Sequence, residues 1–179
     1  MRDIVLTHLD LDHAGGLSDF PHARVHLSAA EAHGAFHHPT ARERFRYRAR
    51  QWAHRPTIVE HDAAGESWDG FPAAEPLDDI CPGLVMIPLA GHTRGHTAYA
   101  LTVNGNQTIL HAGDAFFDHR VLGNKRQPLM LTVLETAGAY DRKQVLRNHE
   151  RLAELRASTE PSLRIINSHD PALLPTAAS

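Results

Sequence analysis

Four metal-capable side chains, His8, Asp10, Asp12 and His13, fall within six residues of the run Thr7-His8-Leu9-Asp10-Leu11-Asp12-His13-Ala14-Gly15-Gly16. Imidazole and carboxylate donors at this density can hold divalent cations, and such cations acidify water and polarise carbonyl groups. His8 and Asp10 are two residues apart and can face one way. Asp12 and His13, on the following turn, can face another, so adjacent pairs could serve two ions. The apolar run from Asp3 to Thr7 has the character of a short buried strand that ends where the polar cluster begins. Gly15 and Gly16 let the backbone bend back beneath the cluster. The competing reading is a polar loop that merely follows a strand, but a connecting loop has little need of four ligand-type residues so close together.

The rest of the chain supplies what a closed two-metal site would need. His92 and His96 lie in Gly91-His92-Thr93-Arg94-Gly95-His96, after the strand-like run 84–89. Asp114 lies in His111-Ala112-Gly113-Asp114, after Thr108-Ile109-Leu110, and His169 lies in Ser168-His169-Asp170, after the run 163–166. Four apolar runs that each end in His or Asp would gather ligands at one edge of a sheet sandwich.

This order of motifs resembles the metallo-β-lactamase-fold hydrolases, whose pattern is His-x-His-x-Asp-His, Gly-His-Thr-x-Gly-His, an isolated Asp and a late His. The resemblance runs from Asp3 to about Pro171 and is most similar to the lactonase-like and glyoxalase II-like branches. It implies an α/β fold, the αβ/βα four-layer sandwich. It also implies that His8, Asp10 and His92 hold one metal, that Asp12, His13 and His169 hold the other, and that Asp114 bridges them. Asp12 and Asp114 would be the catalytic carboxylates, and His96 would brace the loop that carries His92. The cofactors implied are two divalent metal ions, zinc foremost, with manganese or iron as alternatives.

Asp10 departs from the pattern, because most of the family has its second His there. Two divalent ions offset by Asp10, Asp12, Asp114 and a bridging hydroxide leave the cluster near neutral instead of near plus one. The first position becomes harder and more oxygen-rich, so manganese or iron should compete better with zinc. An acidic residue at this place is known in flavodiiron and some phosphodiesterase-like branches. The implied mechanism is hydrolysis at a carbonyl by metal-activated hydroxide, with no nucleophilic side chain required. Cys81 reads as a buried structural thiol, and no Gly-x-Ser-x-Gly elbow exists. In the lactonase branch a Tyr stands three residues beyond the bridging Asp, whereas Phe117 stands there here, which weakens a standard lactonase assignment.

Composition is consistent with one domain spanning 1–179. The chain has 179 residues, a net charge of -3 and 42% hydrophobic residues, enough for a core and without a basic bias toward nucleic acid. A single cysteine excludes an internal disulfide. Without a spanning apolar run or a signal peptide, the expected compartment is the cytoplasm and the expected partner is a small-molecule substrate, not a membrane or a nucleic acid. Of the 15 histidines, His22, His26, His33, His37, His38, His54, His61, His119 and His149 read as surface or satisfied polar residues.

The elements that would position the ligands are legible in outline. A strand 23–27 precedes a helix from Ser28, where Ser28 and Glu31 have capping-box spacing. A second helix is expected over 40–53, with Phe45, Ala49 and Trp52 on its packed face. Arg42, Arg44, Arg46, Arg48 and Arg50 occupy its other faces, and a solvated helix is preferred there over a substrate lid in which an arginine meets an anionic group. Strands are expected at 57–61 and 67–71, and a hairpin turning at Asn104-Gly105. The segment 115–138 reads as irregular, and a helix over 140–157 presents Val145, His149, Leu152 and Leu155 inward.

Only seven residues precede the first motif, whereas the family has a set of strands there. The N-terminal sheet is therefore expected to be incomplete, through a late start or as a fragment that dimerises to cover an apolar face. Three functions follow: a metal-dependent hydrolase of a lactone, ester or thioester; a phosphodiesterase or nuclease of the same superfamily; or a non-catalytic fragment that needs a partner.

Overall fold

In the computed structural model, which describes residues 1–103, 107–159 and 162–174, strand alternation sorts apolar side chains into three clusters and thereby into four layers. Strands β1 (Asp3–Val5), β2 (Arg24–Ser28) and β3 (Thr57–His61) form a parallel sheet in that order. A second sheet runs β4 (Glu75–Pro76), β5 (Leu84–Pro88), β6 (Thr97–Val103), β7 (Gln107–His111) and β8 (Leu163–Ile166), antiparallel except for the parallel pair β7 and β8. Successive side chains on a strand face opposite ways. Met86 and Tyr99 accordingly join Leu77 and Leu84 in a cluster that Val5 packs against, while Ile87, Ala98 and Ala100 join Leu152, Leu155 and Leu163 in another. The first of these clusters lies between the sheets. The second lies under helix α5 (Arg142–Thr159), on the far face of the larger sheet.

The third cluster, with Leu6, Leu9, Val25, Leu27 and Tyr47, covers the outer face of the small sheet. Over it lie three short helices: α1 (Leu11–Ala14), α2 (Ala29–Ala32) and α3 (Ala41–Arg46). Thr97 N and Oγ1 donate to Thr7 O at 2.9 and 3.3 Å, and Tyr99 Oη donates to Leu6 O at 3.0 Å, tying the end of β1 to the large sheet. The architecture is the expected α/β sandwich, and β1, β5, β7 and β8 end ahead of His8, His92, Asp114 and His169 respectively.

Several local expectations are corrected. The small sheet seats β1 as an edge strand, paired with β2 from Asp3↔Arg24 to Val5↔His26. Gly16, with φ -87° and open space around it, needs no glycine, whereas Gly15 has an ordinary φ of -61° but a Cβ there would stand 2.8 Å from Leu11 O. The helix expected over 40–53 stops at Arg46, Tyr47 takes an extended conformation, and a 3-10 turn follows at Ala49–Trp52. Phe45 is 76% exposed, while Trp52 packs edge-on against Phe36. Thr40 makes a complete capping box with Glu43, whereas at α2 only Ser28 caps, because the Glu31 carboxylate is committed elsewhere. The strand expected at 67–71 is reduced to a single bridge between Trp68 and Phe71. Cys81 is half-buried, at the margin of the cluster between the sheets. The Asn104-Gly105 turn lies outside the described residues.

The segment 115–138 is not irregular: it holds a 3-10 turn at His119–Gly123 and helix α4 (Leu129–Gly138). α4 inverts the usual amphipathic arrangement. Leu129, Met130, Val133 and Leu134 are exposed, while Glu135 is buried, accepting from Gln127 at 2.8 Å and lying 3.1 Å from His149 Nε2. Apolar periodicity therefore could not mark its inner face. Among the described residues, no helix is long and apolar enough to cross a membrane.

Candidate metal centre

The loop after β1 carries Asp10 at the N-cap of α1, where its carboxylate makes no capping bond and is free to face inward. Asp12 and His13 follow on the first turn. The loop between β5 and β6 delivers His92, and it can lie flat on α2 because residue 95 is glycine. A Cβ there would stand 2.0 Å from Glu31 N and 2.5 Å from Ser28 Oγ. Residue 113, with φ +54°, is glycine for a related reason, since a Cβ would meet His96 Nε2 at 2.6 Å.

The seven residues singled out in the sequence converge. Asp10 Oδ2 lies 3.4 Å from His8 Nε2 and 3.0 Å from His92 Nε2. Asp12 Oδ2 lies 3.6 Å from His13 Nε2 and 3.5 Å from His169 Nε2. Between these two groups sits Asp114. Its Oδ2 is 3.0 Å from His169, 3.6 Å from His92 and 3.9 Å from His8, and its Oδ1 is 3.2 Å from His13. The His8 side chain is fully buried, while Asp12 and His169 are 60% and 41% exposed, so solvent reaches the second group.

His8 Nε2, His13 Nε2 and Asp114 Oδ1 are buried and have no hydrogen-bond partner among the described residues. Buried polar atoms are rarely left unpaired, and lone pairs converging from imidazole and carboxylate are the donor set of a divalent cation. The residues present thus fit metal ions at both groups. Burial opposes the charge on Asp10, but the His8 and His92 rings and the Arg46 guanidinium around it outweigh burial and hold the carboxyl far below its ordinary value. Burial is likewise outweighed at Asp114, by His13 first and then by His8 and His92. Burial also lowers His8, whereas Asp114 raises His13 against its own burial. Both carboxylates are therefore ready anionic donors at neutral pH.

The surroundings of the centre contain residues that the sequence did not mark. Glu31, fully buried, accepts from Leu9 N (2.9 Å) in the first loop, from Thr93 Oγ1 (2.6 Å) and Gly95 N (3.1 Å) in the second, and from Tyr47 Oη (2.9 Å). It staples both ligand loops together. Its only signal was the capping-box spacing, which pointed to a different role. Asp170 accepts from His119 N and Ala172 N and contacts His119 Nδ1 at 2.8 Å, fixing the loop beside His169.

His96, fully buried, reaches two parts of the site. Its Nδ1 faces Leu89 O at 3.2 Å across the base of the loop that carries His92, and its Nε2 accepts from Asp114 N at 3.0 Å, so it also steadies the Asp114 backbone. Its burial pushes its pKa well down, consistent with a neutral ring. His96→Ala should weaken metal retention by about 10–100-fold, and His92→Ala by more, as read from metal-to-protein ratios after dialysis. Equal losses would make His96 a ligand.

Arg94 forks onto Glu43 at 2.7 and 2.8 Å, tying α3 to the second loop. Burial opposes the charge on Glu43, but Arg94 and Thr40 hold its carboxyl down to about 2, from an ordinary 4.5. A lowered pKa means stability that is complete above pH 4.5 and is lost as pH falls through that value toward 2. Glu43→Gln should flatten this limb of the acid-unfolding curve, monitored by circular dichroism.

The sequence profile of the Metallo-beta-lactamase superfamily matches residues 2–169. The chain belongs to the metallo-beta-lactamase superfamily. Probable metallo-hydrolases of Mycobacterium tuberculosis and Mycobacterium bovis are each 49% identical over 174 residues, covering 97% of this chain and 56% of the relative. The chain thus spans about half the length of the curated relatives it matches. Among solved structures, a probable metal-dependent hydrolase from Staphylococcus aureus superposes with a TM-score of 0.66 at 22% identity, covering 95% of this chain and 55% of that one. The dizinc quorum-quenching lactonase AidC gives 0.64 at 19% identity, covering 96% and 58%. These likenesses establish the superfamily fold for the arrangement described above.

Proposed function

We propose that this chain forms the reaction centre of a metal-dependent hydrolase that acts on a carbonyl substrate: a lactone, ester or thioester. The observation that carries the reading is Asp114, placed between the two groups, with its own Oδ1 and one imidazole nitrogen from each group, His8 Nε2 and His13 Nε2, buried and without a hydrogen-bond partner among the described residues. His8, Asp10 and His92 would hold one divalent ion and Asp12, His13 and His169 the other, with Asp114 shared. Bound there, the ions supply Lewis-acid polarisation of the carbonyl and water of lowered pKa. The chain itself contributes the fixed anionic charge of Asp10 and Asp114, the exclusion of water around His8 and His92, and an open side at Asp12 and His169 through which substrate enters. Phe117 stands edge-on to His92 and His169, with ring centroids at 5.9 and 5.5 Å, and forms an apolar wall without a hydroxyl to orient a carbonyl.

The dizinc lactonase among the structural neighbours supports zinc, while Asp10 at the first position favours manganese or iron as competitors. Turnover of p-nitrophenyl acetate and a γ-lactone should be compared with that of bis-p-nitrophenyl phosphate, with zinc or manganese added. Carbonyl turnover that is abolished by chelator supports the proposal. Turnover of the phosphodiester alone overturns it in favour of phosphodiesterase chemistry.

A further inference from the structure

The guanidinium of Arg46 has five N–H donors, and all five are engaged at the first group of ligands. Nε donates to Asp10 Oδ1 at 2.5 Å, and Nη2 donates to Asp10 Oδ2 at 2.5 Å. The second Nη2 proton points at His92 Nε2, 2.8 Å away. Nη1 donates to His92 O at 3.0 Å and to Gly138 O at 2.6 Å. Two elements build this seat: the C-terminal end of α3 delivers the arginine, and the last residue of α4 supplies a carbonyl that has no other use in the helix.

Nη2 engages two of the three atoms that a cation at the first group needs, Asp10 Oδ2 and His92 Nε2. His92 Nε2 has one lone pair, which cannot accept from Arg46 and bind a metal together. Among the described residues no comparable cation sits at the second group, where His13 Nε2 and Asp114 Oδ1 are unpartnered. The two positions are therefore unequal before any metal arrives.

Resting on the metallo-hydrolase reading, we infer that Arg46 is a built-in countercation of the first metal position, which makes metal loading sequential. The group of Asp12, His13 and His169, with Asp114, fills first. The group of His8, Asp10 and His92 fills only when a metal ion displaces Nη2 from His92. Nη1, held by two backbone carbonyls, keeps the guanidinium nearby after displacement, so loading is reversible as free metal falls. Arg46 thus acts as a positioning residue on Asp10 and His92 and sets the affinity of the first position through them.

The test is a zinc titration of the metal-stripped full chain, followed by calorimetry and by the imidazole resonances of 15N-histidine-labelled protein. In the unsubstituted chain, the first equivalent should shift His13 and His169, and only the second should shift His8 and His92. Arg46→Gln should tighten the weaker step by about tenfold or more, the scale of effects through groups that touch metal ligands, and leave the tighter step unchanged. Simultaneous shifts of all four rings, or His8 and His92 shifting first, would overturn the inference and leave the hydrolase reading intact. So would a weaker step that Arg46→Gln leaves unchanged or weakens further. A folded chain that binds no zinc at all would overturn both. If Arg46→Gln fails to fold by circular dichroism, the order of resonance shifts in the unsubstituted chain decides.

Discussion

Asp114→Ala is expected to remove most of the bound metal and to abolish turnover, while the fold persists. One carboxylate stands within 4 Å of four of the six other candidate ligands, the four histidines, from 3.0 Å at His169 to 3.9 Å at His8. Its removal takes a negative charge and a shared donor from both positions at once. The loss should exceed the roughly 10–100-fold expected of a group one step removed from the metal. The backbone at 114 keeps its bond to His96 Nε2, which does not depend on the side chain, so far-UV circular dichroism should not change. Asp114→Asn, which keeps the volume and removes the charge, should lose metal almost as completely. Two tightly held ions in either variant, by elemental analysis, would show that Asp114 is not shared between the positions.

Glu31→Ala should be the most destabilising single truncation near the centre. It strands four donors, on Leu9, Tyr47, Thr93 and Gly95, in a place that water reaches poorly. Each buried donor left unpaired costs about 1–3 kcal/mol. With partial rescue by entering water, a loss of at least about 3 kcal/mol is expected in urea unfolding of the metal-free protein. Glu31→Gln preserves shape but turns an amide N–H₂ toward groups that also donate, so it should recover only part of the loss. Both ligand loops hang from this carboxylate, so metal affinity should fall together with stability. An unchanged urea midpoint would mean that the loops are held by the sheets alone.

How much of this was written in the sequence differs residue by residue. All seven ligand-type residues could be named because each follows an apolar run, and strand ends are set by local pattern. The strands β5 to β8 could be read for the same reason, since alternation or continuous burial is a local signal. α4 escaped because its buried residue is Glu135 and its exposed ones are leucine, methionine and valine, the reverse of what periodicity detects. The end of α3 at Arg46 escaped as well. Tyr47 leaves the helix to reach a carboxylate 16 residues away, and nothing in the neighbouring residues announces that partner.

By itself, then, the sequence determined the superfamily, the order of the strands that carry ligands, and the chemical types gathered at the site. Those properties depend on neighbours along the chain and on spacing that survives folding unchanged. The roles of Glu31, His96 and Arg46 were decided only by tertiary structure. Glu31 spans 64 residues to reach Gly95, and Arg46 lies 36 residues from Asp10 and 46 from His92. A buried carboxylate or guanidinium takes its meaning from which donors and acceptors surround it once water has been removed. Those surroundings exist only after the two sheets have closed and brought four separate loops to one edge.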